Sequence, residues 1–189
     1  MLRRMSLFAL LELSGECALI VGGGKVALRR AQTLLEAGLE VTVVAPEVQP
    51  ALEKLKVTIC QRPYQSGDLA GKRLVVLATN HAELNDQICA EAKAAGLLVN
   101  HAGAAQQGNL RFAAVTERAG VQVAVSTGQS LPMLAQALAQ RIEELLPSAA
   151  QLQGWQTARA EALAQTGQER ETALHALRQD IQRSLWGAA

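Results

Sequence analysis

In the first hundred positions the apolar residues follow two rhythms. Short runs at 18–21, 41–44, 57–60, 74–78 and 97–99 are rich in Val, Leu and Ile and are bounded by Gly, Pro or polar residues. Runs of that length with little polar alternation predict strands buried on both faces, as in a parallel sheet. Between them, 26–36 and 82–95 repeat apolar residues at helical spacing, and Gly38 and Gly96 stand where such helices would stop. A shorter helix is predicted at 50–56, opening on Pro50, and an extended lead-in at 6–11. Strands alternating with helices predict an α/β fold built on a parallel sheet.

Past residue 100 the rhythm changes. Residues 103–108 are small and polar and read as a loop. The stretches 110–116 and 121–126 predict strands, joined as a hairpin by Glu117-Arg118-Ala119-Gly120. A long amphipathic helix is expected over 131–146, with Pro132 in its first turn and Pro147 beyond its end. Residues 151–186 are nearly all helix formers, with Gly154 and Gly167 as the expected breaks. No internal repeat is visible.

Composition narrows the class. Hydrophobic residues make up 49% of the 189 positions and charged residues 19%, which describes a folded globular chain rather than a disordered one. A net charge of +1 argues against a broad nucleic-acid surface. Cys17, Cys60 and Cys89 are unevenly spaced with no C-x-x-C, so thiols in a reducing cytosol are expected rather than disulfides or a zinc site. The apolar start of the chain is interrupted by Glu12 and does not read as a signal peptide, and no run reaches transmembrane length. A cytoplasmic protein without a membrane partner is expected.

The candidate chemistry starts at Leu19-Ile20-Val21-Gly22-Gly23-Gly24-Lys25-Val26-Ala27. Gly22, Gly24 and Ala27 fit the G-x-G-x-x-G/A template between a strand and a helix. The first position permits the tight turn, the second lets backbone approach a pyrophosphate, and the third allows close helix–strand packing. The stretch Gly22 to Val26, with Gly23 and Lys25 inside it, is expected to lie against the pyrophosphate at the helix N-terminus. This makes the first domain a Rossmann-like parallel sheet.

Glu47, just past the second strand, suits the ribose hydroxyls of NAD and disfavours a 2′-phosphate; it equally suits the cap of the Pro50 helix. Pro46 would line the adenine side. Thr79-Asn80 and Asn100 end two strands at the carboxyl edge, where open α/β sheets bind ligands, although Asn80 would also cap the next helix. His101 is a candidate general base or, alternatively, a loop histidine near the surface, and His81 stands likewise. No metal-ligand set is read from the sequence.

These residues carry a family resemblance. The blocks 18–27, 34–38 and 41–46, then Ala78-Thr79-Asn80, Leu84-Asn85, Val99-Asn100, Val125-Ser126-Thr127-Gly128, Ser130-Leu131-Pro132 and Glu144-Leu145-Leu146-Pro147, resemble the precorrin-2 dehydrogenase family, also the N-terminal module of sirohaem synthases. The resemblance implies NAD-dependent oxidation of precorrin-2 to sirohydrochlorin, in some members with iron insertion.

It also implies three parts: an NAD-binding domain over 1–109, a strand-containing dimerisation segment over 110–147 and a C-terminal helical domain over 148–189. A homodimer follows from the second part. Thr127 and Arg111 are then candidates for the carboxylates of the tetrapyrrole substrate. After Val-Asn the family usually writes Val-Val-Asp, with the aspartate as acid/base. Here the text is His101-Ala102-Gly103, which leaves His101 as the nearby titratable group and makes chelation doubtful. An alternative is a member that binds NAD or tetrapyrrole without efficient turnover, as a carrier or regulatory module.

Overall fold

The computed structural model describes residues 7–128 and 131–187. They form two compact units, one over Leu7–Phe112 and one from Ala113 onward. The first unit alternates β1 (Cys17–Val21), α1 (Lys25–Glu36), β2 (Glu40–Val44), α2 (Pro50–Glu53), β3 (Thr58–Cys60), β4 (Leu74–Leu77), α3 (Ala82–Ala94) and β5 (Leu98–His101). Its five strands are parallel in the order β3-β2-β1-β4-β5. The chain winds outward from β1 in one direction and then, through β4, in the other.

Alternation along each strand divides the core between the two faces. Ile20, Val43 and Val76 pack with Ala27, Ala31 and Leu34 of α1. Leu19, Val75, Leu77 and Val99 pack with Ile88 and Ala92 of α3. Every residue from Ala18 to Val21 is buried, which is why β1 carries no polar position.

Two expectations at the sheet edge are corrected. β5 runs on to His101, because Val76 pairs with Asn100 and Leu77 with His101. His101 is therefore a strand residue, not a loop histidine. The expected strand at 110–116 begins only at Ala114. The N–H groups of Asn109 and Leu110 both donate to the Val99 carbonyl, and Leu110 and Phe112 pack on the first core, so this stretch belongs to the sheet domain. The division expected at 109/110 falls after Phe112 for that reason.

The second unit contains the hairpin β6 (Ala114–Arg118) and β7 (Val121–Val125), then α4 (Pro132–Glu143), α5 (Ala149–Ala164) and α6 (Gly167–Trp186). The segments expected as two domains, split at 147/148, lie in one unit. Leu185 and Trp186 of α6 line a common groove with Val121 of β7, Ile142 of α4 and Leu146 just past it. Gly154 lies inside α5 and breaks nothing; the interruption falls at Gln165 and Thr166. Ser130, which opens the family-like block Ser130-Leu131-Pro132, lies outside the described residues. Among the described residues no helix is long and apolar enough to cross a membrane.

Two outcomes test this packing. Leu19→Ala empties a fully buried site in the central strand and should cost about 3 kcal/mol in urea unfolding. The two-residue hairpin loop holds Ala119 at φ 54° ahead of Gly120 at φ 84°. A side chain in that left-handed conformation is strained, and Asn tolerates it better, so Ala119→Asn should raise stability by about 1 kcal/mol in the same measurement.

Candidate cofactor site

The glycine loop sits where the ends of three strands meet. The Gly22 N–H donates to the Val44 carbonyl at 2.9 Å, with φ at 123°. A β-carbon there would overlap the carbonyl of Ala78, just past β4. A β-carbon at position 23 would overlap the Glu47 carbonyl and come within 2.8 Å of the Val48 Cα. The Gly23 carbonyl in turn accepts from the Gln49 N–H at 2.9 Å. The loop is therefore clamped between the turn after β2 and the turn after β4.

Gly24 is different. Among the described residues, nothing lies within 4 Å of where its β-carbon would be. It caps α1 in an extended conformation (φ −89°, ψ −167°), with no side chain capping the helix and no acid in the first turn. The first-turn N–H groups, those of Lys25 and Val26 among them, lack intrahelical partners and face the positive end of the helix dipole. Open space beside an uncapped helix N-terminus at the switch point of a parallel sheet fits a dinucleotide pyrophosphate. Lys25 and Val26 are exposed beside it.

The other expected residues divide. Pro46 and Glu47 are exposed after β2, and α2 is capped by Gln49, so Glu47 is not that helix's cap. Likewise α3 is capped by His81 rather than Asn80, which is left exposed. Thr79 is drawn into the α3 entry: its hydroxyl donates to Asn85 Oδ1 at 2.7 Å, and Asn85 Nδ2 donates back to the Thr79 carbonyl at 3.0 Å. Asn100 is turned inward. Its Nδ2 donates to the Leu110 carbonyl at 3.1 Å, while its buried Oδ1 has no partner among the described residues. Its visible role is to fasten the 109–112 stretch to the sheet.

His101 requires a correction. It is neither a surface loop residue nor an available base. It is 3% exposed, and both ring nitrogens are engaged. The Ala104 N–H donates to Nδ1 at 2.9 Å, and Nε2 lies 3.2 Å from Asp86 Oδ1. With Nδ1 accepting, the neutral ring carries its proton on Nε2 and donates it to Asp86, so no lone pair faces a substrate. Asp86 had drawn no attention in the sequence. Nothing in the pattern of α3 links it to a residue on another element.

Arg111 is exposed and its Nε donates to the Ala105 carbonyl at 3.4 Å, whereas Thr127 belongs to the second unit. Arg141 pairs with Glu144, and Arg118 donates to the Leu146 carbonyl at 3.3 Å. Arg30, not singled out in the sequence, lies over the Phe112 ring at 4.3 Å. Burial, then the charge of Arg29, lowers its pKa. The three cysteines are free, and burial pushes the Cys89 thiol up.

An open, doubly wound parallel sheet with a glycine turn at its switch point defines a dinucleotide-binding domain. The chain belongs to the family described as "Putative NAD(P)-binding", which matches residues 9–114. It is similar to the siroheme synthase of Ectopseudomonas mendocina, 42% identical over 139 residues that make 72% of this chain and 30% of that protein. The siroheme synthase of Pseudomonas entomophila is 42% identical over 142 residues, 73% of this chain and 31% of the relative. That of Chromobacterium violaceum is 40% identical over 142 residues, 73% and 30% of the two chains. The chain thus spans about 30% of the length of these relatives. A solved structure named "SirC, precorrin-2 dehydrogenase" has the same fold, with a TM-score of 0.69, 24% identity and coverage of 95% of this chain and 92% of that one.

The open space at Gly24 makes a specific prediction. Gly24→Val should fold with little change in melting temperature, since a β-carbon there meets no atom within 4 Å among the described residues. It should nevertheless abolish NAD binding in calorimetry, because that side chain fills the place of the phosphate. Gly23→Val, by contrast, should impair folding itself.

Proposed function

We propose that the chain is an NAD-dependent precorrin-2 dehydrogenase, oxidising precorrin-2 to sirohydrochlorin in sirohaem biosynthesis. The observation that carries this reading is the open glycine cradle at Gly24, set in a chain 42% identical to a siroheme synthase over 139 residues. NAD⁺ held there would accept a hydride. The chain's own part is to bind and orient: the α1 N-terminus takes the pyrophosphate, and the exposed Asn80 stands beyond β4 toward the nicotinamide half. Glu47, exposed and with no Lys or Arg among its near neighbours in sequence, favours NAD over NADP. Arg111 is the cation proposed to meet the substrate's carboxylates. Gly103 carries no carboxylate, so iron insertion is expected to be feeble.

The second unit exposes Val115 at 60%, Met133 at 75% and Leu131 at 48%, with Leu134 and Leu138 beside them. A row of large apolar side chains on one hairpin and helix suits a self-complementary contact, and a second copy of the chain is its proposed occupant.

Three measurements check these statements. NAD⁺ and precorrin-2 should yield NADH with the unaltered protein; tight NAD or sirohydrochlorin binding without turnover would instead favour a carrier or regulatory module. NADP⁺ should bind more weakly than NAD⁺ in calorimetry, and Glu47→Ala should narrow the gap. Light scattering at micromolar concentration should give twice the monomer mass, and Met133→Glu should return it to the monomer.

A further inference from the structure

The pair Asp86–His101 has no part in the cofactor cradle, yet it stands at the carboxyl edge of the same sheet. His101 closes β5 opposite Leu77, the end of β4, and Asp86 lies about one turn into α3, the helix that follows β4. We propose that Asp86, held by His101, is the carboxylate that accepts the proton released when the tetrapyrrole is oxidised. The inference rests on the dehydrogenase reading above.

The argument begins with the ring. A buried imidazole that accepts from the Ala104 N–H at Nδ1 must donate from Nε2, and Asp86 Oδ1 is its acceptor at 3.2 Å. One carboxylate oxygen is thereby fixed. The other has no protein partner among the described residues, and the side chain is 51% exposed. The nearest cation along α3, Lys93, does not neutralise it: its Nζ donates to the Gln107 carbonyl at 3.1 Å. The Cys89 thiol donates to that carbonyl as well, at 3.4 Å. Asp86 is thus a carboxylate with one oxygen anchored by a buried donor and the other presented to solvent. An ordinary surface acid is mobile and has no buried side chain committed to it. His101 is here a positioning residue.

The bond changes balance. One hydrogen leaves the macrocycle as hydride, to the nicotinamide, and a second leaves as a proton, to the free oxygen of Asp86 and then to water. The sum is precorrin-2 plus NAD⁺ giving sirohydrochlorin, NADH and H⁺.

Gly103 supplies the test. A β-carbon there would lie 3.8 Å from Cε1 and 3.9 Å from Nδ1 of His101, with no other atom of the described residues within 4 Å. A side chain at 103 therefore has room and flanks the same ring. NADH formation from NAD⁺ and precorrin-2 is measured for the unaltered chain, Asp86→Asn, and Asp86→Asn combined with Gly103→Asp or with Gly103→Asn. NAD⁺ affinity and melting temperature are measured on each.

Asp86→Asn should lower kcat by about 10²-fold with both control values unchanged. Gly103→Asp should recover a large part of that loss, and Gly103→Asn none. Wild-type kcat in Asp86→Asn, or equal recovery by Asn at 103, would overturn the proposal while leaving the dehydrogenase reading intact. An unaltered chain that makes no NADH would remove that reading and this proposal together.

Discussion

The first unit depends on one crowded crossing of backbone. Gly22 and Gly23 leave β1 between the turn after β2 and the turn after β4, at separations that admit no β-carbon. That crowding holds the ends of β2, β1 and β4 together at one edge and aims the α1 N-terminus away from the sheet. Only because positions 22 and 23 are squeezed does position 24 open outward. The three adjacent glycines thus stand differently, two packed against protein backbone and one facing open space.

The edge of β5 works by a different principle. A histidine whose two nitrogens are both hydrogen-bonded, and whose ring is buried, is chemically quiet. What it can do is fix its neighbours. Nδ1 ties down the loop that carries Gly103, and Nε2 ties down Asp86 on another element. The titratable group offered to solvent is then the carboxylate rather than the imidazole. A carboxylate is a hard, charged acceptor and needs a fixed direction; a single buried donor gives it one without cancelling its charge.

The second unit follows the logic of exposed apolar surface. Its hairpin packs one face on α4, with Thr116, Ala135 and Ala139 buried, and leaves Val115, Met133 and Leu134 outside. Thr116, Ala135 and Ala139 let the hairpin and α4 pack closely, while several large apolar side chains of the same elements stay in solvent.

The sequence alone determined the sheet. Largely apolar strand runs of three to five residues, helices stopped by Gly38 and Gly96, and the glycine spacing after Val21 are local signals, each set by backbone conformation or by burial on both faces. It also placed the glycine turn between β1 and α1, because G-x-G between a strand and a helix specifies backbone geometry. Tertiary structure decided what depends on distant partners. β5 includes His101 because β4 offers it a pairing edge, and residues 109–112 stay with the sheet because the Val99 carbonyl receives them. Gly154 does not break α5, since propensity is weak beside the packing of a long helix. Asp86 meets His101 only when α3 lies along β5. A contact between side chains on separate elements leaves no periodic trace in either, so no reading of residue types could have joined them.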